Sequence, residues 1–284
     1  KLLARRATRI RPGRDDKILA DWNGLAVAGL VRAGIVFDEP AWVGLAKDVF
    51  AWVKTNMTAD DGRLRHSFCA GQLQHPAIID DYANMARAAV TLYEATGDNA
   101  YIDTARGWVD VIDIHFWDAA GGGYFFTADD AEALIIRTKS AADNATPAGN
   151  SVIAATLARL HFATGEDAYR QRAEEIFTAF AGEVSKNFFP LTGLFSANEI
   201  LQRCAQVVIV GDPAEDGTTA LIDVAWKAAN MNKLIQRVAP GDALPDGHPA
   251  TGKGQLDGKA TAYVCIGQTC SLPLTDAEAL REAL

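Results

Sequence analysis

Apolar and aromatic residues recur at helical spacing in three similar segments of the chain. Each segment has an alanine followed by an aromatic residue near its start, then apolar residues three and four positions apart, and charged residues on one side. This pattern is typical of an amphipathic helix with one face in solvent. The three predicted outer helices are EPAWVGLAKDVFAWV (39–53), DNAYIDTARGWVDVI (98–112) and EDAYRQRAEEIFTAF (166–180).

Three further segments, each upstream of an outer helix, are apolar nearly all round, which predicts helices buried on most faces. These predicted inner helices are DWNGLAVAGLVRAG (21–34), DDYANMARAAVTLYEATG (80–97) and TPAGNSVIAATLARLHFATG (146–165). Asn23, Tyr82 and Asn150 each lie nineteen residues before the aromatic residue of the following outer helix, respectively Trp42, Tyr101 and Tyr169. An offset repeated three times predicts three helical hairpins.

Long connections separate one hairpin from the next. Each contains a glycine-marked stretch (60–68, 119–127 and 191–199), which predicts short β-hairpins or extended loops. Asp21, Asp81 and Thr146 are suited to cap the inner helices, and Gly97 and Gly165 to end them. The long loops therefore share one end with the inner-helix N-termini, which favour anionic or oxygen-rich ligands. We call this end the mouth and expect a ligand there.

The pattern changes from about residue 206. A buried strand (206–212), a helix (217–232), a second strand (260–267) and a terminal helix (275–284) follow one another. We therefore predict a mainly α protein, with a toroid or barrel of (α/α) hairpins over residues 1–205 and a small α/β appendage over residues 206–284.

Charge and hydropathy exclude several classes of partner. The 284 residues include 27 Lys and Arg against 36 Asp and Glu, a net charge of −9, which repels nucleic acid and anionic lipid surfaces. No apolar run approaches the ~18 residues that a membrane-spanning helix needs. We expect neither a nucleic acid nor a membrane partner.

The cysteines are few and scattered. Cys69, Cys204, Cys265 and Cys270 form no CxxC motif, which favours a reducing cytoplasm. Cys265 and Cys270 could meet across a tight turn as thiols or as a bridge, and the interpretation as buried, inert thiols is favoured. The sequence has no HExxH motif, Cys/His cluster or acidic metal loop, so we expect no metal and no other cofactor.

Several motifs resemble a known family over nearly the whole chain. They are DDKILADWNGL, IIDDYANMARAAVTLYEATGD, GGGYFF, DNATPAGNS, VVIVGD and TAYVCIGQTC. The combination resembles the C-terminal region of thioredoxin-domain-containing proteins related to spermatogenesis-associated protein 20. That resemblance implies an (α/α) barrel similar to those of N-acylglucosamine and cellobiose 2-epimerases and of six-hairpin glycosidases. It also implies that a thioredoxin-like domain and the first hairpins precede this sequence and would act as its partner.

A barrel of which three hairpins are visible has a structural consequence. Half of a six-hairpin barrel would leave apolar surface uncovered on its inner helices, so we expect a partner or a missing half to cover it. The resemblance to 2-epimerases also implies a histidine base. Of the five histidines, His66 and His75 alone lie in a mouth loop, and a surface or core role is the favoured interpretation for both.

Candidate site residues form three groups near the mouth. In the first, Asp16, Trp22 and Asn23 suit sugar binding through hydrogen bonds and ring stacking, the alternative being a charged surface and a core tryptophan. The second group is Asp80, Asp81 and Tyr82, in which one carboxylate can cap the helix and leave the other free.

The third group lies just before and at the start of the third inner helix. Its candidate ligand-binding residues are Arg137, Lys139, Asn144 and Asn150. Arg137 and Lys139 could hold a carboxylate or phosphate, or could simply pair with Asp143. Tyr124 could stack on a ligand or pack in the core. We predict Asp81 and Asp143 as the catalytic acid and base, in the manner of paired glycosidase carboxylates.

Three functions remain open on this sequence. The first is a carbohydrate-active enzyme that hydrolyses, isomerises or epimerises a sugar-like small molecule. The second is a non-catalytic accessory or interaction domain of a thioredoxin-domain-containing protein. The third is a helical-repeat scaffold, but its repeats of 34 to 47 residues are shorter than the steps of 59 and 68 residues between the outer-helix aromatics.

Overall fold

The computed structural model describes residues 1–242, 244, 248, 250–267 and 269–284. Its helices are α1 (Leu2–Ala7), α2 (Ala20–Val36), α3 (Pro40–Asn56), α4 (Ile79–Thr96), α5 (Ala100–His115), α6 (Gly149–Thr164), α7 (Asp167–Val184), α8 (Thr192–Arg203), α9 (Asp216–Lys227) and α10 (Ala277–Ala283). Its strands are β1 (Ile18–Leu19), β2 (Arg65–Cys69), β3 (Gln72–Pro76), β4 (Ala205–Val210), β5 (Lys233–Val238), β6 (Thr261–Ile266) and β7 (Thr269–Cys270).

The helices pair as the repeat predicts. The hairpins are α2 with α3, α4 with α5 and α6 with α7. The inner helices α2, α4, α6 and α8 pack side by side in chain order, and nearly every residue of α4 and α6 is buried. Alanine-rich helices can approach closely, and Gly24 brings α2 nearest to α4, because a Cβ there would lie 2.6 Å from the backbone carbon of Asn84. The predicted mainly α fold is confirmed.

The predicted helix ends are correct and the predicted caps are wrong. Gly97 and Gly165 end α4 and α6 in the left-handed conformation, with φ of 77° and 78°. Asp21 and Asp81, however, lie inside the first turn of their helices, and Thr146 lies before the start of α6. The carboxylate of Asp81 still accepts a hydrogen bond from the Ile78 backbone N–H at 2.8 Å, so it caps α4 from within.

The three glycine-marked stretches adopt different structures. The first forms β2, which pairs with β1 and β3 in an antiparallel sheet of order β1-β2-β3. The second is irregular apart from an antiparallel bridge between Trp117 and Tyr124. For the third, the prediction of a loop is wrong, because residues 192–203 form α8, a fourth inner helix packed on α6.

The C-terminal elements form a second sheet of order β5-β4-β6-β7. Strand β4 pairs in parallel with β5 and antiparallel with β6, and the sequence pattern did not predict β5 or β7. Strand β5 contacts α4 and α6, while α9 contacts α2. The sheet therefore lies against the inner helices.

A disulfide bond joins Cys265 of β6 to Cys270 of β7, so the favoured interpretation as free thiols is wrong. The turn between these strands includes residue 268, which lies outside the described residues. Cys69 and Cys204 are free thiols, and burial raises the pKa of Cys204 to about 12.

Large apolar side chains are exposed at the first hairpin and around the last inner helix, α8. Phe37, Trp42 and Leu45 are exposed at the first hairpin, and Phe189 and Phe195 are exposed at or next to α8. Such surface is what an incomplete ring of hairpins would leave uncovered. None of the described helices combines the length and the apolar character needed to cross a membrane.

Candidate functional site

Carboxylates join the N-terminal ends of neighbouring inner helices. Oδ1 of Asp81 accepts a hydrogen bond from the backbone N–H of Asp21 at 3.0 Å, which links α4 to α2. Oδ1 of Asp80 accepts one from the N–H of Gly149 at 2.9 Å, which links α4 to α6. Each carboxylate thus satisfies a donor that the first turn of a helix leaves free and lies at the positive end of a helix dipole.

Asp143 makes the third link of this kind. Its Oδ1 accepts the N–H of Ala148 at 3.0 Å, and its Oδ2 accepts the N–H of Gly193 at 2.6 Å, which connects the start of α6 with the start of α8. The Thr192 hydroxyl also donates to Oδ2, at 3.2 Å. Both oxygens of Asp143 are therefore engaged in holding helix starts.

His66 of β2 reaches the same end of the helices and contacts a fully buried carboxylate. Its Nδ1 lies 3.0 Å from Oδ2 and 3.1 Å from Oδ1 of Asp81. The hydrogen bond to Asp81 raises the pKa of His66 above its usual value, although burial opposes this. Burial raises the pKa of Asp81, and the hydrogen bond from His66 lowers it in part. These contacts use Nδ1, so Nε2 is the nitrogen through which the imidazole would exchange a proton with a ligand.

Asp80 lines a pocket at the mouth. The pocket has a volume of about 240 Å³ and lies between the start of α4 and the loop that precedes α6. It is lined by Ile79, Asp80, Phe126, Thr138, Ser140, Ala142, Asn144, Thr146, Pro147, Ala148, Gly149 and Asn150. Burial raises the pKa of Asp80 to about 6, with a further contribution from the negative charges of Asp81 and Asp21. A group with this pKa can gain or lose a proton near neutral pH.

Asp21, His66 and Asp81 offer the donor types that a divalent cation uses, and one ligand atom of each lies within 4.8 Å of the others. Hydrogen bonds account for this cluster without an ion. The two oxygens of Asp81 accept backbone N–H groups of Asp21 and Ile78 as well as facing His66. We therefore do not propose a metal site at these residues.

The first predicted group is only partly at the mouth. Trp22, beside Asp21 at the start of α2, is 61% exposed, so it is not a core tryptophan. The side-chain amide of Asn23 donates to the carbonyl of Leu19 at 2.8 Å. Asp16 is exposed in the preceding loop and pairs with Arg14.

The predicted aromatic contacts lie in the core. Tyr82 is buried, and its hydroxyl accepts the backbone N–H of Leu64. Tyr124 is fully buried and donates to a carboxylate oxygen of Asp113. Neither ring is available as a stacking surface, because helix packing covers both. Asn150 lines the pocket, but its side-chain amide is bound to the backbone of Tyr124 and Ser140.

The two basic residues of the third group bind other partners than Asp143. Arg137 donates to the carbonyls of Thr127 and His115 and lies over the Phe125 ring. Lys139 forms an ion pair with Asp118 at 2.6 Å. Asn144, by contrast, is exposed and lines the pocket.

His66 and Asp21 both contact Asp81, although neither is among the site residues that we selected from the sequence. The signal for His66 was its place in a mouth loop, but its partner Asp81 is fifteen residues away in another element. Such a contact follows from the packing of β2 on the start of α4, which local patterns do not report.

Comparison with known proteins confirms the resemblance. The chain is 32% identical over its whole length to spermatogenesis-associated protein 20 of Homo sapiens and 31% identical to that of Mus musculus. An uncharacterised protein of Caenorhabditis elegans is 27% identical over 98% of the chain. The chain spans 38% of the length of the human and mouse relatives. No protein-family model matches it.

Solved structures share the arrangement of hairpins at low sequence identity. A family 76 α-mannanase of Bacteroides thetaiotaomicron matches 65% of this chain and 52% of its own, with a TM-score of 0.53 and 16% identity. A family 76 glycoside hydrolase from a bovine strain of that species matches 80% of this chain and 51% of its own, with a TM-score of 0.50 and 14% identity. A sugar epimerase from a ruminal bacterium matches 59% of this chain and 46% of its own, with a TM-score of 0.50 and 12% identity. The fold is that of the six-hairpin (α/α) barrel proteins.

Proposed function

We propose that this relative of spermatogenesis-associated protein 20 binds a sugar at the mouth and converts it by acid–base chemistry. The observation that carries the proposal is Asp80, a pocket-lining carboxyl with a pKa of about 6, close to the pair formed by His66 and Asp81. The fold supports it, since glycoside hydrolases and a sugar epimerase share the arrangement of hairpins.

The two proton-transferring groups have complementary charge states. Above about pH 6 the carboxylate form of Asp80 can accept a proton, and the hydrogen bond to Asp81, which raises the pKa of His66, favours the protonated imidazole that can donate one. Asp80 contacts the start of α6 through Gly149, and the charges of Asp80 and His66 interact, so both groups belong to the same end of α4. Asp81 positions His66 and stabilises its charged form.

Other mouth residues bind the sugar or shape the pocket in this proposal. The exposed indole of Trp22 is a stacking surface for a sugar ring, and Asn144 offers its amide to hydroxyl groups. Asp143, which we predicted as half of a catalytic pair, instead fixes the loop of the pocket, because backbone and hydroxyl donors engage both of its oxygens.

A second candidate function is a non-catalytic accessory domain. It is favoured by the exposed aromatic side chains at the first hairpin, which would suit a protein partner such as a thioredoxin-like domain. The division into residues 1–205 and 206–284 and the cytoplasmic location stay predictions.

A panel of mono- and disaccharides incubated with the natural full-length protein tests the proposal. We expect at least one sugar to be hydrolysed, isomerised or epimerised, as detected by NMR of the products. Asp80→Asn should lower kcat by about 10²-fold or more, the usual effect of removing a general acid or base. Asp48→Asn, at an exposed position of α3, is the matched control and should leave kcat unchanged.

The two candidate functions give different results in this panel. Sugars that bind without being altered would favour the accessory domain and contradict the enzymatic proposal. Conversion that Asp80→Asn leaves intact would contradict the role given to Asp80.

A further inference from the structure

Basic side chains cluster at the opposite end of the inner helices from the mouth. Arg32 lies near the end of α2, Arg159 near the end of α6 and Lys233 at the start of β5, with Arg87 in the middle of α4. Asp21 and Arg32 are eleven residues apart in α2, a distance of about 16 Å along a helix axis. The cluster is therefore separate from the proposed sugar site.

The positive charge of this cluster is incompletely balanced. Within the described part of the chain, the acidic side chain that faces it is Glu94, whose Oε1 accepts a hydrogen bond from Nη1 of Arg159 at 2.8 Å. Four cations and one carboxylate leave a formal charge of +3, although the whole chain carries −9. Helix C-termini favour cations, and Lys233 indeed donates to the carbonyl of Ala228 at the end of α9.

A small pocket opens between these groups and α9. It has a volume of about 120 Å³ and is lined by Arg32, Glu94, Trp226 and Lys233 among others. This volume is room for about four water molecules at ~30 Å³ each, which admits a group the size of phosphate.

Two hydrogen-bond donors of the lining residues have no acceptor. Nε of Arg32 and Nε1 of Trp226 are buried, and no partner for either is found in the described residues. The Trp226 side chain as a whole is 7% exposed. Buried polar groups in folded proteins are nearly always hydrogen-bonded, so two donors without an acceptor, on residues that line the same pocket, point to an acceptor that binds there.

We propose that this pocket binds a tetrahedral oxyanion of the size of phosphate. A phosphate group carries about −1.5 to −2 charges near neutral pH, which matches the excess of positive charge better than the single charge of a carboxylate does. Its several oxygens can accept from the guanidinium, the indole and the ammonium groups, which approach from different elements. Burial lowers the pKa of Lys233 to about 8, and the positive charge of Arg32 adds to this effect, whereas Glu94 opposes it.

Calorimetric titration of the natural full-length protein with inorganic phosphate tests this proposal. We expect a Kd of about 1 mM or tighter for phosphate and sulfate, and weaker binding of acetate. Arg32→Gln should weaken phosphate binding at least about tenfold, because it removes a charge-assisted hydrogen bond. Arg203→Gln is the control, since Arg203 is an exposed arginine in the last turn of α8, and it should leave the Kd unchanged.

A second variant keeps the test decisive if Arg32→Gln fails to fold. Phosphate should change the tryptophan fluorescence of the wild-type protein, and Trp226→Phe should abolish that change and weaken binding. The proposal is overturned if phosphate does not bind, if acetate binds as tightly as phosphate, or if neither variant alters the affinity. Failure here would leave the sugar site untouched, since the two sites lie at opposite ends of the helices.

Discussion

At the scale of single residues, the carboxylates of the mouth have structural and chemical roles at once. Asp80, Asp81 and Asp143 each accept backbone N–H groups from the start of a neighbouring helix. The sequence indicated these three positions because acidic residues gather near helix starts. It could not show which of them remains in contact with a pocket, since that depends on how α4, α6 and α8 meet.

Asp80 should lower the free energy of unfolding as the pH rises, whereas most carboxyl groups of folded proteins have the opposite effect. Its pKa rises from 3.8 to about 6 in the folded chain, so the folded state binds the proton more tightly than the unfolded state does. Its contribution to stability is therefore lost as the pH rises from about 4 to about 6. We expect Asp80→Asn to raise the free energy of unfolding at pH 7 by on the order of 2 kcal/mol, with little effect at pH 4.

Urea unfolding of both proteins across this pH range measures the difference. The comparison of wild type with variant removes the contributions of other carboxyls, such as Asp21 and Asp81. An Asp80→Asn variant that is less stable than wild type at pH 7 would contradict the pKa assigned to Asp80.

At the scale of helices, glycine misled the sequence analysis in one place. Gly193 and the surrounding aromatic residues predicted a loop, but the residue lies in α8. A Cβ there would stand 2.8 Å from an oxygen of Asp143, so this glycine allows close approach inside a helix rather than a turn. The inner and outer helices were predictable because each kind has its own pattern of buried and exposed positions. α8 was not predictable in this way, because β4 rather than an outer helix follows it.

Two glycines of α2 should respond in opposite ways to alanine. Gly24→Ala places a Cβ 2.6 Å from the backbone of α4, and we expect a loss of about 1 to 3 kcal/mol in the free energy of unfolding. Gly29→Ala meets nothing within 4 Å and should add about 0.5 to 1 kcal/mol through helix propensity. Chemical unfolding at equilibrium measures both, and equal effects would show that α2 and α4 are not packed this closely.

At the scale of the whole molecule, the equal nineteen-residue offsets were enough to predict an (α/α) arrangement with all inner-helix N-termini at one end. The sheet was less predictable, because β5 pairs with β4 across an intervening helix and carries polar residues at Lys233, Gln236 and Arg237. Exposed aromatic side chains at the first hairpin and near α8 agree with a ring of hairpins that this chain only partly supplies.

We propose that Asp80 and the pair formed by His66 and Asp81 transfer protons to a sugar at the mouth. The pH dependence of kcat/KM for a converted sugar tests it most directly. We expect a bell-shaped profile, with an acidic limb near pH 6 from Asp80 and an alkaline limb from His66 that His66→Gln removes. A profile without an acidic limb near pH 6, or one that His66→Gln leaves unchanged, would contradict it.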